Sequence, residues 1–371
     1  MTENKISPLL RPVSLGSMVL PNRVVMSPMT RGRTPGGIPN AINAQYYAQR
    51  ASAGLVFAES TAVSAYGIGF IDTPGIFTDA QAEGWSKVTE AVHQRGGRIV
   101  LQLWHSGHYS HRTLLPDGAL PIGPSARAIT GSVHTPEGRL DVETPRALEL
   151  EDVPIVLEEY RSAAERALAA NFDAVEIHGG NGYLIDQFLR DSTNHRTDEY
   201  GGSPANRMRL LLEVVDAVAS VWGRARVGVR LSPTNPSVFG ITDSQPEVLF
   251  PLVVDALEAA GVGFLDMVEG GTGETPAQCP FDYAALRKRF SGVYIANNSF
   301  TRESAALAVA EGRADLVSFG RPFIANPDLA ERFRANAPLN PINFDTLRGS
   351  GEEGYLDYPT LPVLEGQQAD R

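Results

Sequence analysis

The sequence predicts an α/β protein built as a single (β/α)8 TIM barrel, with a long capping loop after strand 3. Two observations carry this. Eight short apolar runs alternate with segments of helical period, and no Ser/Gly-rich linker divides the 371 residues. Strand-then-helix units in strict order make a parallel sheet. Eight of them favour a closed barrel over an open doubly wound sheet.

The first strand is expected over Arg23–Met29, followed by a helix over Ala41–Ala53 with Tyr46, Tyr47 and Arg50 at helical spacing. Leu55–Ser60 gives the second strand. Asp79–Gln94 gives the second helix, with Thr78 before it as the N-cap that satisfies free N–H groups. The third strand is Arg98–Trp104. The chain then runs from His105 to Leu150, rich in Gly, Pro and Thr and without helical period. Loops of this length are usually functional or capping, and this one leaves the rim where barrels place their chemistry. Val156, Tyr160, Ala163 and Ala167 share one face of the helix that leads into the fourth strand, Ala174–Ile177.

Helix Met208–Val221 and strand Arg226–Leu231 follow. Pro246–Ala260 reads as a helix because Pro suits a first turn and Gly261 a helix end. Strands Phe264–Val268 and Val293–Ala296, helix Thr301–Glu311 before Gly312, and strand Leu316–Phe319 complete the pattern. The whole of 1–371 is expected to be one barrel domain, with the polar tail at about 365–371 disordered.

Composition narrows the function. Apolar residues make up 43% and charged residues 20%, as in an ordinary globular protein. The net charge of -11 argues against a nucleic-acid partner or an anionic membrane surface. Cys279 is the only cysteine, so no intrachain disulfide forms, in keeping with a reducing cytoplasm. The opening MTENKISPLLRPV has no apolar signal core, and no run reaches the roughly 18 apolar residues of a membrane span. A cytoplasmic monomer or homodimer is the default expectation.

Barrel chemistry sits at the C-terminal strand ends. The strand-four end reads His178-Gly179-Gly180-Asn181-Gly182-Tyr183, three polar side chains spaced by glycines that let the backbone turn sharply. A core strand gains nothing from such a cluster, so it marks a site. Around it lie Ser27-Pro28-Met29-Thr30-Arg31, Glu59-Ser60, Gln102, Trp104, His105 and Arg230. Asn297-Asn298 after strand seven and Gly320-Arg321 after strand eight stand where barrels commonly hold a phosphate. The alternative for Arg321 is a salt bridge to an acidic loop. Arg230 follows an apolar run on a buried strand and needs a negative partner, either Glu59 or Glu176 or an anion in the barrel mouth.

His105, His108 and His111 form H-x-x-H-x-x-H, which invites a metal-dependent barrel hydrolase. Gly107 breaks any helical geometry between them and no carboxylate lies close in sequence, so no metal is expected. There is no G-x-x-x-x-G-K-[ST], no G-x-G-x-x-G after a strand and no G-x-S-x-G elbow. Those absences argue against a stably held dinucleotide and a serine hydrolase.

NRVVMSPMTR, YYAQRASAGLVFAEST, LQLWHSGH, EIHGGNGYLIDQFLRDSTNHRTDEYGGSPANRMR, RLSP, FGRPFIANPDL and GYLDYPTL run in order from about Leu9 to Leu361. Together they resemble the FMN-dependent ene-reductases of the old yellow enzyme family, which include the N-ethylmaleimide reductase-like alkene reductases. The resemblance implies a (β/α)8 barrel with non-covalent FMN and NADPH or NADH as transient reductant. It also implies ping-pong reduction of an activated C=C bond in an α,β-unsaturated carbonyl or nitro compound.

It assigns residues as well. Thr30 would bond the flavin C4 carbonyl, with Pro28, Met29 and Ser60 along the ring. Gln102 would pair with the pyrimidine edge and Arg230 would face N1, where the reduced ring carries negative charge. Asn297, Asn298, Gly320 and Arg321 would hold the phosphate. His178 and Asn181 would bind the substrate oxygen, Tyr183 would protonate the α-carbon, and Trp104, Phe70 and Tyr358 would shape the substrate pocket. Two departures stand out: the strand-seven turn reads A-N-N-S where relatives more often have glycine, and Phe70 stands where many have tyrosine.

Overall fold

The computed structural model describes residues 7–234, 240–271 and 280–362. Eight parallel strands form its centre: β1 (Val24–Met26), β2 (Leu55–Phe57), β3 (Ile99–Trp104), β4 (Ala174–His178), β5 (Val227–Leu231), β6 (Phe264–Val268), β7 (Val293–Asn297) and β8 (Leu316–Phe319). Each pairs with the next, and β8 returns to β1 through Val317 opposite Val24, so the sheet closes. Closure removes the exposed strand edges that an open sheet must protect.

The barrel interior packs in layers. Leu15, Leu20, Val25, Leu55, Phe57, Val100, Ala174, Phe264, Ile295 and Leu316 form one buried cluster. Leu15 and Leu20 belong to an antiparallel hairpin, Val13–Leu15 with Met18–Leu20, that plugs the N-terminal end. Phe264 fills the space that Gly228 leaves free, since a Cβ at Gly228 would stand 2.0 Å from the Phe264 ring. The larger apolar cluster lies between the barrel and its helices, where Tyr47, Trp85, Tyr160, Leu211, Val214 and Phe250 are buried.

Helices follow every strand: α1 (Ala41–Gln49), α2 (Asp79–His93), α3 (Val153–Ala169), α4 (Arg209–Trp222), α5 (Pro246–Ala260), α6 (Tyr283–Lys288), α7 (Arg302–Ala310) and α8 (Leu329–Ala335). The Thr78 side chain accepts from the Gln81 N–H, and Gln81 accepts from Thr78, closing the α2 capping box. The short helices α6, α8, Leu184–Leu189, Pro204–Arg207 and Arg321–Ala325 carry no readable period. All six residues of Leu184–Leu189 are buried, Asp186 and Gln187 included, so that helix has no solvent face to alternate with a buried one.

The expected strands one and two run too long. β1 ends at Met26 and β2 at Phe57, so Pro28–Thr30 and Ser60 lie on the loops above the barrel, as a rim requires. The capping segment after β3 is more ordered than its composition suggests. It carries a hairpin, Ser132–Thr135 with Gly138–Asp141, and a short parallel pairing of Ile122–Gly123 with Arg146–Ala147. Val133 of the hairpin packs with Ala62, Phe70, Trp104 and Tyr109 over the mouth. Among the described residues no helix is long and apolar enough to cross a membrane. The tail at 365–371 and Cys279 lie outside the described residues.

Candidate active site

Above the C-terminal strand ends lies a cavity of about 390 Å³. Its lining includes Pro28, Met29, Asn181, Arg230, Asn297, Asn298, Gly320 and Arg321, eight of the residues singled out from sequence. Arg321 is exposed at the first turn of Arg321–Ala325, with its guanidinium 6.0 Å above the Phe344 ring. Next to it, Asn298 (φ 104°) and Ser299 (φ 56°) take left-handed backbone. This is the conformation that glycine would adopt at no steric cost and that Asn tolerates better than most residues. The Asn298 amide donates to the Glu269 and Gly271 carbonyls at 2.9 and 2.8 Å, tying the loop after β7 to the loop after β6.

Asn297 faces a different way. Its amide donates to Ser27 Oγ at 2.9 Å and to the Ser318 carbonyl at 3.0 Å, and its Oδ1 accepts from Arg230 at 3.1 Å. Asn297 therefore orients Arg230, while Asn298 shapes the loop after β7.

The negative partner of Arg230 is neither Glu59 nor Glu176. Its guanidinium donates to Asp266, directly opposite on β6. Glu59 is instead held by the Arg31 N–H at 3.1 Å and the Tyr47 hydroxyl at 3.2 Å. Glu176 accepts from Gln102 at 2.7 Å, and Gln102 in turn accepts from Ser60 at 2.7 Å. A continuous polar chain thus runs across the barrel floor from Ser60 to Asn297. Asp266 was missed from sequence although a signal was there, since it is the lone charge in the apolar run Phe264–Val268. Burial and the neighbouring Asp266 hold the Glu176 carboxyl well above the usual carboxylate range.

At the end of β4 the backbone crosses close over β5. A Cβ on Gly180 would stand 2.9 Å from Ser232 Oγ, so only glycine passes there freely. Asn181 then turns left-handed (φ 56°), its N–H donating to Ser232 Oγ at 2.7 Å. The Gly182 N–H donates to Asp186 at 2.8 Å, and Asp186 is held by Arg190 at 2.7 Å. This pinned turn brings His178, Asn181 and Tyr183 together. His178 Nδ1 accepts from the Gly180 N–H at 3.4 Å, which leaves the proton on Nε2. Burial and then the Arg230 charge keep its imidazole neutral, well below the ordinary histidine range. Burial likewise pushes the Tyr183 phenol upward.

Aromatic rings wall this corner. Trp104 stands edge-on to Tyr183 at 5.3 Å, and Phe70 stacks parallel to Trp104 at 5.8 Å. Arg348 lies 4.9 Å over Phe70, a contact no local pattern announced, because the C-terminal segment delivers it from far along the chain. Tyr358 belongs to the same C-terminal segment. Its hydroxyl accepts from the Asn343 N–H at 2.9 Å within that segment.

The three loop histidines do not converge. His105 Nδ1 accepts from the Gly107 N–H at 3.0 Å, His108 packs on Gly123, and His111 Nδ1 lies 2.9 Å from Thr113 Oγ1. Burial depresses His105 to about 3 and His108 to about 4. Among the described residues no group of three His, Cys, Asp or Glu is placed to hold a metal ion.

A closed barrel whose mouth joins the Asn298–Ser299 turn beside Arg321, a buried arginine and a His/Asn/Tyr corner has the architecture of a barrel flavin oxidoreductase. The cavity suits FMN by the chemistry of its donors: Arg321 and loop N–H groups at one end, the Arg230 guanidinium on its floor, and the partly exposed Pro28–Thr30 edge alongside. The chain belongs to the NADH:flavin oxidoreductase / NADH oxidase family, whose model matches residues 8–340, and with it to the old yellow enzyme family.

It is 42% identical over 367 residues to the putative 12-oxophytodienoate reductase 11 of Oryza sativa subsp. japonica, covering 96% of this chain and 98% of that one. It is 43% identical over 362 residues to 12-oxophytodienoate reductase 2 of Arabidopsis thaliana, covering 95% and 96%. The solved structure of morphinone reductase with tetrahydroNAD superposes with a TM-score of 0.91 at 46% identity, covering 98% and 99%. The old yellow enzyme homologue from Zymomonas mobilis superposes with a TM-score of 0.91 at 43% identity, covering 95% and 99%. The protein is an FMN-dependent oxidoreductase that draws on a reduced nicotinamide, and the metal-dependent hydrolase reading finds no support.

Proposed function

We propose that the enzyme reduces activated C=C bonds of α,β-unsaturated carbonyl or nitro compounds. In this reading His178 and Asn181 bind the substrate oxygen and Tyr183 donates the proton. The observation that carries it is the corner itself: His178 with Nδ1 accepting from the Gly180 N–H, Asn181 pinned in a left-handed turn, and Tyr183 edge-on to the histidine.

FMN, when bound, supplies the hydride relay between the reduced nicotinamide and the β-carbon of the alkene. The chain's own residues do the rest. Negative charge develops on the substrate oxygen as the β-carbon is reduced, and preorganised Nε2–H and amide N–H donors stabilise it as an oxyanion hole does. Tyr183 holds its proton at Oη until the α-carbon needs it. Trp104 and Phe70 exclude water and select flat, apolar substrates. Thr30, Pro28, Met29, Ser60, Gln102 and Arg230 would hold the ring, while Asn298, Gly320 and Arg321 would hold the phosphate and Asn297 would act through Arg230.

For the reductant we favour NADPH, with NADH as the alternative. We also favour a cytoplasmic monomer or homodimer, on the strength of the acidic composition and the lone cysteine. The test is the visible absorption spectrum of the purified protein under anaerobic conditions, taken alone, after NADPH and then after 2-cyclohexenone. An oxidised-flavin spectrum that bleaches with NADPH and returns with the enone is expected. Bleaching without return would remove alkene reduction as the activity.

A further inference from the structure

The barrel floor beneath the cavity carries more acid than base. Glu176 and Asp266 are both fully buried, with no solvent exposure, and their carboxyl groups are in hydrogen-bonding contact. Gln102 from β3 faces them and carries no charge. His178, further along β4, is neutral, and Arg230 from β5 is the single cation of the group. Each carboxyl has one oxygen satisfied: Glu176 Oε1 by Gln102 and Asp266 Oδ2 by Arg230. The other two, Glu176 Oε2 and Asp266 Oδ1, have no donor in the structure. Two buried carboxylates beside one arginine would leave one charge uncompensated, which protein interiors avoid by neutralising a group. A single proton between the two orphan oxygens satisfies both and balances the charge.

We propose that Glu176 and Asp266 share one proton between Oε2 and Oδ1, making the Glu176–Asp266–Arg230 group electrically neutral. The shared proton fixes the carboxylate on which Arg230 rests. Arg230 therefore meets the cofactor as half of an ion pair and not as a free cation, which restrains how far it can favour the reduced over the oxidised cofactor. Glu176 and Asp266 are positioning residues that act through Arg230. This second part rests on the reading that Arg230 faces the flavin ring; the shared proton itself does not.

Infrared spectroscopy of the flavin-free protein at neutral pH tests the proton directly. A buried protonated-carboxyl band that shifts in D2O is expected in the wild type, and both E176Q and D266N should lose that same band. No acid band lost in E176Q, or a band that survives in D266N, would overturn the shared proton.

The consequence for Arg230 is read from the dissociation constants of oxidised and reduced FMN. In E176Q the amide N–H donates to Asp266 as the acid does, so the ratio of the two constants should stay within about twofold. The E176Q/D266N double variant leaves Arg230 without an anion and should shift the ratio about tenfold toward the reduced form, about 1.4 kcal/mol. An unchanged ratio in the double variant would overturn the restraint, whereas a protein that binds no FMN would overturn the flavin reading and leave the infrared result standing.

Discussion

The Tyr183 ring stands edge-on to the His178 ring, with centroids 5.0 Å apart and planes at 74°. The proton donor and the oxygen anchor proposed above are thus direct neighbours. Burial raises the Tyr183 phenol above its ordinary value, so the donor stays protonated throughout the neutral range. Tyr183→Phe keeps the ring packing against Trp104 and removes only the proton. We expect it to slow alkene reduction by about 10² to 10⁴-fold, the usual worth of a positioned general acid. Flavin reduction by NADPH should be nearly unaffected. Stopped-flow measurement of the two half-reactions decides, and equal slowing of both would contradict the donor role.

The His178–Asn181 pair predicts ligand affinity. Para-substituted phenols offer the same oxygen as the substrate and give a charge-transfer band on the flavin. The double substitution His178→Ala with Asn181→Ala should abolish that band, because two donors to a charged oxygen are each worth about 1.5–3 kcal/mol. His178 is held neutral far below its ordinary range, so binding should show no histidine break between about pH 6 and pH 8 once phenol ionisation is subtracted. A band that persists in the double variant would remove the anchor assignment.

How much of this was readable without coordinates depends on the kind of contact. Buried parallel strands are mostly apolar on both faces, so β3 to β8 stand out as short apolar runs, each of β3 to β6 broken by one or two polar residues. The polar cluster after β4 stands out for the opposite reason. Short helices with no solvent face, such as Leu184–Leu189, leave no periodic trace. Partners across the barrel are a matter of register. Nothing local to Arg230 says that Asp266 lies opposite, and the neighbouring acids Glu59 and Glu176 were the natural candidates. The C-terminal segment left the weakest trace, because its contacts depend on how it folds back: the Tyr358 hydroxyl accepts from Asn343, and Arg348 comes to lie over Phe70.

Arg321 predicts cofactor retention. It stands exposed at the cavity mouth beside Asn298 and Gly320, where it can reach an anion without leaving the surface. Arg321→Ala should weaken FMN binding about 10- to 100-fold, the worth of one or two charge-assisted hydrogen bonds, and should leave the fold intact. Equilibrium dialysis of the refilled protein measures this, with riboflavin as the control. Riboflavin lacks the phosphate and should bind both proteins equally. A parallel loss for riboflavin would show that Arg321 supports the loop and not the phosphate.

Glu59 predicts how stability depends on pH. It is fully buried, and burial raises its carboxyl from the usual range to about 7, opposed by the Arg31 N–H and the Tyr47 hydroxyl. The sign follows from proton counting. Between about pH 4.5 and about pH 7 the folded state holds a proton on Glu59 that the unfolded chain has released. The Glu59 contribution to stability should therefore fall as pH rises through this window and level off above it, while the depressed His105, His108 and His178 contribute the opposite slope below about pH 6.5. Glu159 and Glu269 are also raised to about 7 by burial and add to the Glu59 slope. Glu59→Gln keeps the shape and removes the Glu59 titration alone. Between pH 5 and pH 7.5 the stability of the wild type should fall by about 1–3 kcal/mol relative to that of the variant. Urea unfolding of both proteins across that range measures the difference, and identical slopes would mean that Glu59 is already ionised in the folded enzyme.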